Sequence, residues 1–162
     1  MENRISSFQP IVDTHSEILI LGSIPGAKSL EMEQYYAHPQ NQFWKIIFEI
    51  LGHDFTTNYE ERLAILKQHG IALWDVIDTC ERKGSLDTAI RNEEANDILG
   101  LLELYPNIKA IFCNGQKSFK NLQKIFHKNP PLPTYVLPST SPAHTMHYEN
   151  KLKSWFKMKE FI

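Results

Sequence analysis

Aromatic and amide side chains that could hold a flat heterocycle are concentrated between Gly22 and Trp44, where the sequence reads GSIPGAKSLEMEQYYAHPQNQFW. Tyr36 lies in the middle of this stretch, and Asn41 stands directly before a segment with helical spacing. Aromatic rings stack on nucleobases, and an amide both donates and accepts hydrogen bonds at a base edge. These residue types therefore predict a binding site for a planar heterocyclic ligand.

Other catalytic signatures are absent from the sequence. It contains no GxGxxG, GxxxxGK[ST], HExxH or GxSxG pattern, which disfavours a dinucleotide, P-loop, zincin or nucleophile-elbow site. Three histidines lie in predicted loops without a carboxylate partner, and such histidines are more often surface residues than metal ligands. A weaker alternative is an α/β hydrolase that uses Ser139 or Ser141 as nucleophile, although nothing in the sequence places a base beside either serine.

Four short apolar runs predict the strands that position these side chains. Residues 17–22 are almost continuously apolar, which is typical of a parallel strand buried on both faces. The other strands are predicted at the start of residues 71–79, at 109–113 and at 134–137. They alternate with helical segments, so the pattern predicts a three-layer α/β/α fold with a four-stranded parallel sheet, in a single domain covering residues 1–162.

The predicted helices occupy residues 42–51, 59–69, 94–104, 116–127 and 148–161, and the predicted loops are 23–40, 80–90 and 138–147. In the last helix we expect Trp155 and Phe156 to pack inward. Ligands bind at the carboxyl ends of strands in such sheets. One crevice is therefore predicted between four strand ends, at residues 22–26, 74–75, 113–115 and 138–144.

Composition is that of an ordinary soluble domain, with 42% hydrophobic and 22% charged residues among 162. The N-terminus has no apolar segment typical of a secretory signal, and no run approaches the ~18 apolar residues of a membrane span. We therefore expect no membrane partner. Neither Cys80 nor Cys113 has a CxxC partner, and buried free thiols favour a reducing, cytoplasmic location.

Charge is unevenly distributed around a net value of −2. Residues 116–128 carry four lysines and no acid, whereas residues 87–103 are predominantly acidic. A basic face can contact phosphates locally without a basic total. Charge alone nevertheless favours the simpler interpretation, in which both segments are solvated helix faces.

Motifs at all four strand ends resemble those of the uracil-DNA glycosylase superfamily. GSIPGAKSLEMEQYYAHPQNQFWKII has the spacing of the first motif of the mismatch-specific uracil/thymine branch, which opens with GINPG and closes with HPxNxFW. LPSTSPAH and the missing asparagine of GINPG resemble the hypoxanthine-DNA glycosylase branch more closely, as do GIALWDVIDTC and IFCNG. The resemblance covers roughly residues 17–147.

This resemblance implies a monofunctional DNA glycosylase without cofactor or metal. Such an enzyme hydrolyses the N-glycosidic bond of a damaged base flipped out of DNA. The implied lesion is deoxyinosine first and deoxyuridine next. Tyr36 would stack on the extruded base, and the loop beneath the sugar and water would comprise Gly22, Ser23, Ile24, Pro25 and Gly26.

Ile24 occupies the position of the asparagine of GINPG, and it can neither orient nor activate a water. The hypoxanthine branch implies Asn41 in that role, as a group that positions water and stabilises charge, while helix capping is the alternative role. Asp75 is a candidate to bind the base or the water, or else to accept hydrogen bonds from backbone amides. Asn114 is a candidate for contact with the base edge or the DNA backbone, or else a turn residue before glycine.

The loop after the fourth strand is implied to grip the DNA backbone and to fill the space that the flipped base leaves. Its candidate DNA-binding residues are Ser139, Thr140, Ser141, Pro142 and His144, and Lys117 and Lys120 would add backbone contacts. Leu137 stands where many superfamily members have a histidine. Together with Ile24, this leaves an alternative open, a catalytically weak DNA-lesion or nucleotide binding module of the same fold. In either case DNA is the expected partner and a monomer the expected state.

Overall fold

The computed structural model describes residues 4–162. Its elements in chain order are β1 (Arg4–Ser6), β2 (Ile18–Gly22), α1 (Ala27–Met32), α2 (Phe43–Leu51), α3 (Tyr59–Gln68), β3 (Ile71–Asp75), β4 (Ile77–Glu81), β5 (Arg91–Ala95), α4 (Ile98–Leu104), β6 (Ala110–Asn114), α5 (Gln116–Ile125), β7 (Thr134–Leu137) and α6 (Tyr148–Trp155). Short 3-10 helices occupy Asp87–Ala89 and Phe156–Phe161. Within residues 4–162, no helix has the length and apolar character needed to cross a membrane.

The central sheet has four parallel strands in the order β3-β2-β6-β7. Strand β2 lies between β3 and β6, and all five of its residues are buried. This position explains its unbroken apolar sequence, because both of its faces are covered by other elements. The predicted three-layer fold with a four-stranded parallel sheet is confirmed.

Side chains that alternate along the strands divide the core into two halves. Ile18 and Ile20 of β2 face α2, α3 and α6, whereas Leu19 and Leu21 face α4 and α5. The first half is rich in aromatic residues and the second is mainly aliphatic. Both cysteines are free and buried in the structure, as the sequence predicts.

A second, antiparallel sheet of strands β1-β4-β5 was not predicted. Part of it replaces the predicted loop at 80–90, and β5 replaces the first residues of the helix predicted at 94–104. The β5 sequence is RNEEA, and its side chains are mostly exposed, so it carries no apolar alternation that would mark a strand. Helix α4 begins later because the Asp97 side chain accepts a hydrogen bond from Gly100 N–H and caps it.

Two further expectations are corrected in the helical parts. The predicted loop 23–40 contains α1, whose sequence AKSLEM consists mainly of good helix formers but is too short for a periodic signal. The last helix changes to 3-10 geometry after Trp155, which alters the residues that face the core. Phe156 is therefore exposed, and Met158 is buried in its place.

Replacement of Phe43 by alanine is expected to lower the free energy of unfolding by about 3–5 kcal/mol, which urea denaturation measures. Phe43 is fully buried, stacks on Tyr36 at 4.0 Å between ring centroids and meets Trp44 and Trp155 edge to face. The matched control is Phe156→Ala, which removes an exposed ring and should change stability by less than about 0.5 kcal/mol. Equal losses in both variants would contradict this account of the core.

Candidate active site

A cleft of about 1140 Å³ lies at the carboxyl ends of the parallel strands. All four strand ends contribute to its lining, as the sheet topology predicts. The 85–91 segment, which leads into β5, forms an additional wall. A second cavity of about 920 Å³ lies across the 36–42 segment and includes none of the strand ends. The strand-end cleft is therefore the candidate site.

The floor of the cleft is a close contact between Gly22 and Asp75, which pair across β2 and β3. A Cβ atom on Gly22 would lie 2.6 Å from Asp75 Oδ1 and 3.0 Å from the Tyr36 hydroxyl oxygen. Only glycine leaves room for both polar groups. The first residue of the predicted ligand loop thus has a packing role at the bottom of the site.

Asp75 is a buried carboxyl group with one unsatisfied oxygen. Its side chain is 3% exposed, and Oδ2 has no hydrogen-bond partner among residues 4–162. Burial raises the pKa of Asp75 to about 7, and the charge of Asp87 adds a smaller increase. The alternative role of Asp75, as an acceptor for backbone amides, does not account for Oδ2, because no amide in the described part of the chain donates to that atom. The group is instead available to donate a proton or a hydrogen bond near neutral pH.

Tyr36 forms a side wall of the cleft. One face of its ring stacks on Phe43 with an interplanar angle of 24°, and its backbone is left-handed with φ of 56°. Its hydroxyl is buried and has no partner among the described residues, and burial together with the Asp75 charge raises its pKa. The ring is thus held rigidly from behind, which suits a stacking surface.

Asn41 contributes to the start of α2 and also faces the cleft. Its Oδ1 atom accepts a hydrogen bond of 2.9 Å from Phe43 N–H, so it serves the start of α2 although the formal N-cap is Gln42. The same residue lines the cleft. The carboxamide NH₂ group makes no hydrogen bond within residues 4–162 and is the part of Asn41 that remains open to a ligand.

Asn114 and Thr140 lock together instead of reaching outward. Asn114 Nδ2 donates to Thr140 Oγ1, and Thr140 N–H donates to Asn114 Oδ1, both at 3.0 Å. Thr140 is completely buried, so its expected phosphate contact is wrong. Asn114 is likewise not the left-handed turn residue, since Gly115 carries the positive φ of 95°. The pair attaches the 138–147 loop to the end of β6.

Helix α6 supports the same loop from beneath. Trp155 Nε1 donates to Pro138 O at 2.9 Å, and the buried Lys151 ammonium donates to His144 O at 2.8 Å. The hydroxyl oxygens of Ser139 and Ser141 accept loop backbone N–H groups, which leaves each O–H free to donate. The expected DNA-contacting residues Pro142 and His144 are exposed at the tip of the loop.

The two lysines expected to contact DNA differ in their surroundings. Lys117 forms an ion pair of 2.8 Å with Glu93 of β5, and Glu93 also accepts a hydrogen bond from Asn121. Its ammonium thus ties α5 to the antiparallel sheet, while Lys117 also lines the cleft, so its contact with the DNA backbone stays a prediction. Lys120 is exposed and lines the cleft, as a backbone-contacting residue requires.

Sequence reasoning missed the wall formed by residues 85–91 and the contacts that hold it in place. Arg82 Nη2 donates to Pro25 O, and Ser85 Oγ accepts from Ala27 N–H, both at 2.8 Å. Ser23 Oγ donates to Asp87 Oδ1 at 2.7 Å. The only sequence signal was the density of polar residues in ERKGSLD, which looked like a loop. Among residues 4–162, no group of three or more potential ligands is arranged to hold a metal ion.

Comparisons with known proteins place these features in context. The family model of the uracil DNA glycosylase superfamily matches residues 9–161. A hypoxanthine DNA glycosylase of Methanosarcina barkeri is 46% identical over 112 residues, covering 68% of this chain and 71% of that protein. One from Methanosarcina acetivorans is 37% identical over 149 residues, covering 91% and 93%. The solution NMR structure of a candidate uracil DNA glycosylase from Methanosarcina acetivorans has a TM-score of 0.81 and 36% identity over 95% of both chains.

Gly22→Ala is expected to destabilise the protein by about 1–3 kcal/mol, because the added methyl group overpacks the contact with Asp75. Gly26→Ala is the matched control, since its Cβ would lie 3.6 Å from Ser85 Oγ, an ordinary contact. Urea denaturation compares the two variants. Equal stability of both variants would refute the tight floor of the cleft.

The contribution of Asp75 to the free energy of unfolding should decrease as pH rises from about 4 to about 7. In this window the folded protein keeps the Asp75 proton that the unfolded chain has already released, so raising the pH favours unfolding. The contribution of one proton is at most about 1.4 kcal/mol per pH unit. Asp75→Asn should flatten the dependence measured by urea titrations, whereas the exposed control Asp78→Asn should preserve it. An unchanged slope in Asp75→Asn would contradict the raised pKa.

Proposed function

The chain belongs to the uracil DNA glycosylase superfamily, as its motifs predict, and we propose that it is a monofunctional DNA glycosylase that removes hypoxanthine, and secondarily uracil, from DNA. The observation that carries the proposal is the convergence of Asn41, Tyr36 and Asp75 in one cleft at the strand ends. The relatives named hypoxanthine DNA glycosylase support the choice of base.

The reaction is hydrolysis of the bond between the sugar C1′ and the base nitrogen. The target nucleotide leaves the stack, which costs least for a mispaired or damaged base, and enters the cleft. As the bond breaks, the electron pair goes to the base, and the sugar acquires oxocarbenium character. The water oxygen then bonds to C1′. The site must therefore hold the base, stabilise its developing negative charge and position the water.

Tyr36 provides the stacking surface for the extruded base in this scheme. Phe43 supports one face of the ring at 4.0 Å, which leaves the face toward the cleft for the base. A ring fixed in this way loses little conformational freedom when the base binds. Stacking on an aromatic side chain contributes about 1–3 kcal/mol per base.

Asn41 positions the water. Its side chain is fixed by the hydrogen bond from Phe43 N–H, and its open NH₂ group can donate to the water oxygen or to developing charge. Asparagine does not act as a base near neutral pH, so its contribution is orientation and electrostatic stabilisation. It occupies the cleft while Ile24, at the position of the usual polar residue, is buried and apolar.

Asp75 contacts the base as a neutral carboxylic acid. A purine carries ring-nitrogen and exocyclic-oxygen acceptors that a carboxyl O–H can meet. A hydrogen bond to one of them strengthens as negative charge builds on the departing base. The unsatisfied Oδ2 atom and the pKa near 7 support this role.

Contacts with the DNA backbone come from the 138–147 loop and from Lys120. The hydroxyl groups of Ser139 and Ser141 donate to phosphates, while Pro142 and His144 meet the duplex where the base has left. We further propose that the protein is a single-domain monomer that acts in the cytoplasm and needs neither a cofactor nor a metal.

The second candidate is a module of the same fold that binds lesions without chemistry. Two observations favour it, since Ile24 and Leu137 are both buried and apolar at positions where polar residues are usual. Salt-dependent binding to abasic or mismatched DNA without release of base would support this candidate.

The deciding measurement is release of free base from duplexes that contain one deoxyinosine, one deoxyuridine or a thymine mismatch, followed by alkaline cleavage of abasic sites. The wild-type protein is expected to cleave the deoxyinosine duplex fastest. Asn41→Ala should lower the single-turnover rate by about 10²–10³-fold with little change in affinity. The exposed amide variant Asn150→Ala serves as control and should match the wild type. No release from any duplex at excess protein would refute the glycosylase function.

A further inference from the structure

We infer that Asp87 is a second catalytic carboxylate, which accepts a proton from the attacking water and is held in position by the Ser23 hydroxyl group. The inference rests on the proposed glycosylase function and supplies a step that this function leaves open. Water that bonds to C1′ must lose a proton. Asn41 can orient the water but does not take that proton, and Ile24 has no polar atom.

Asp87 lies in the cleft where such a base has to be. It begins the 3-10 turn Asp87–Ala89 and lines the same cleft as Asn41 and Asp75. Ser23 Oγ donates to its Oδ1 atom at 2.7 Å, which fixes the carboxylate plane and leaves Oδ2 to accept from water. Ser23 lies next to Gly22 in the first-motif loop, so the carboxylate is tied to the floor of the cleft.

The chain before Asp87 is anchored to the first-motif segment, and the chain after it is held by a local hydrogen bond. Arg82 donates to Pro25 O, and Ser85 Oγ accepts from Ala27 N–H. Downstream, Arg91 Nη1 donates to Thr88 O at 2.9 Å. These hydrogen bonds keep the exposed Asp87 side chain in place before the substrate binds, so little reorganisation is needed at that moment.

Asp87 and Asp75 are two carboxyl groups in one cleft whose environments suit them to different roles. Asp75 is buried, and the negative charge of Asp87 further favours its protonated form. Asp87 is exposed and accepts a hydroxyl hydrogen bond. A pair of carboxyl groups in such different environments is a common arrangement for one acid and one base.

The resulting step balances. The water O–H bond breaks and its proton moves to Asp87 Oδ2, while the water oxygen forms a bond to C1′. The C1′–N bond breaks with its electron pair on the base, where neutral Asp75 donates a hydrogen bond to the developing charge. Asp87 then returns its proton to solvent, and the released base takes up one proton from solvent. No further reactant is required.

The simpler interpretation is purely structural: the hydrogen bond between Ser23 and Asp87 only holds the 82–90 segment against the first-motif loop. Asp87→Asn separates the two, because an amide oxygen still accepts from the Ser23 hydroxyl group but does not take a proton from water. A purely structural role predicts that Asp87→Asn keeps both the Tm and the base release of the wild type, and that only Asp87→Ala lowers the Tm. A base role predicts that Asp87→Asn keeps its Tm but loses base release.

The test is single-turnover base release from the duplex that the wild type cleaves best, together with affinity for an abasic duplex and the Tm of each variant. Asp87→Asn and Asp87→Ala should slow base release by at least about 100-fold. Their affinity should stay within threefold of the wild type or increase, since a negative charge near the DNA is removed. Added formate should partly restore Asp87→Ala but not Asp87→Asn, which lacks the space. Asp78→Asn is the matched control and should behave like the wild type.

The outcomes are distinct. If the wild type releases base and Asp87→Asn does so within threefold of its rate, the assignment of Asp87 is overturned while the glycosylase function stands. If slow base release in the Asp87 variants is accompanied by loss of abasic-duplex binding, Asp87 is a structural residue and the assignment also fails. If the wild type releases no base from any duplex, both the function and the inference are refuted.

Discussion

The close contact between the ends of β2 and β3 is the constraint on which the cleft depends. Gly22 and Asp75 are paired in register, and the absence of a side chain on Gly22 lets the Asp75 carboxyl and the Tyr36 hydroxyl group occupy the same small space. The carboxyl group is buried there, and burial favours its neutral form. A buried polar group without a partner costs free energy, and the protein accepts that cost at the point where a base would enter.

The sequence predicted the central sheet and most of its helices because those elements carry strong local signals. Continuous apolar runs mark the buried parallel strands, and helical spacing marks α2. The antiparallel sheet gave no such signal, since β5 is charged and exposed, and it pairs with β4 through its backbone and through polar side chains such as Glu94 with Thr79. Short elements such as α1 are missed for the same reason. Periodicity needs length, and six residues do not provide it.

The positions of the site residues were more predictable than their partners. The first motif and the strand ends placed Tyr36, Asn41 and Asp75 in one crevice. The pairing of Asn114 with Thr140 joins residues 26 positions apart, and that of Ser23 with Asp87 joins residues 64 positions apart. Such contacts depend on the packing of two loops, which no local pattern in a single sequence encodes. The family motifs identified the first-motif loop and the strand ends as lining of the cleft. The wall formed by residues 85–91 became apparent only in the structure.

Because α6 supports the 138–147 loop, it affects the order in which parts of the protein fold during synthesis. Chains are synthesised from the N-terminus, and units fold as they emerge. All four strands of the central sheet precede α6 in the chain, so the sheet can assemble before Lys151 and Trp155 are available. The loop gains the hydrogen bonds to His144 O and Pro138 O only afterwards. The loop is therefore set only once α6 has packed, because α6 supplies both these hydrogen bonds and Trp155 of the core.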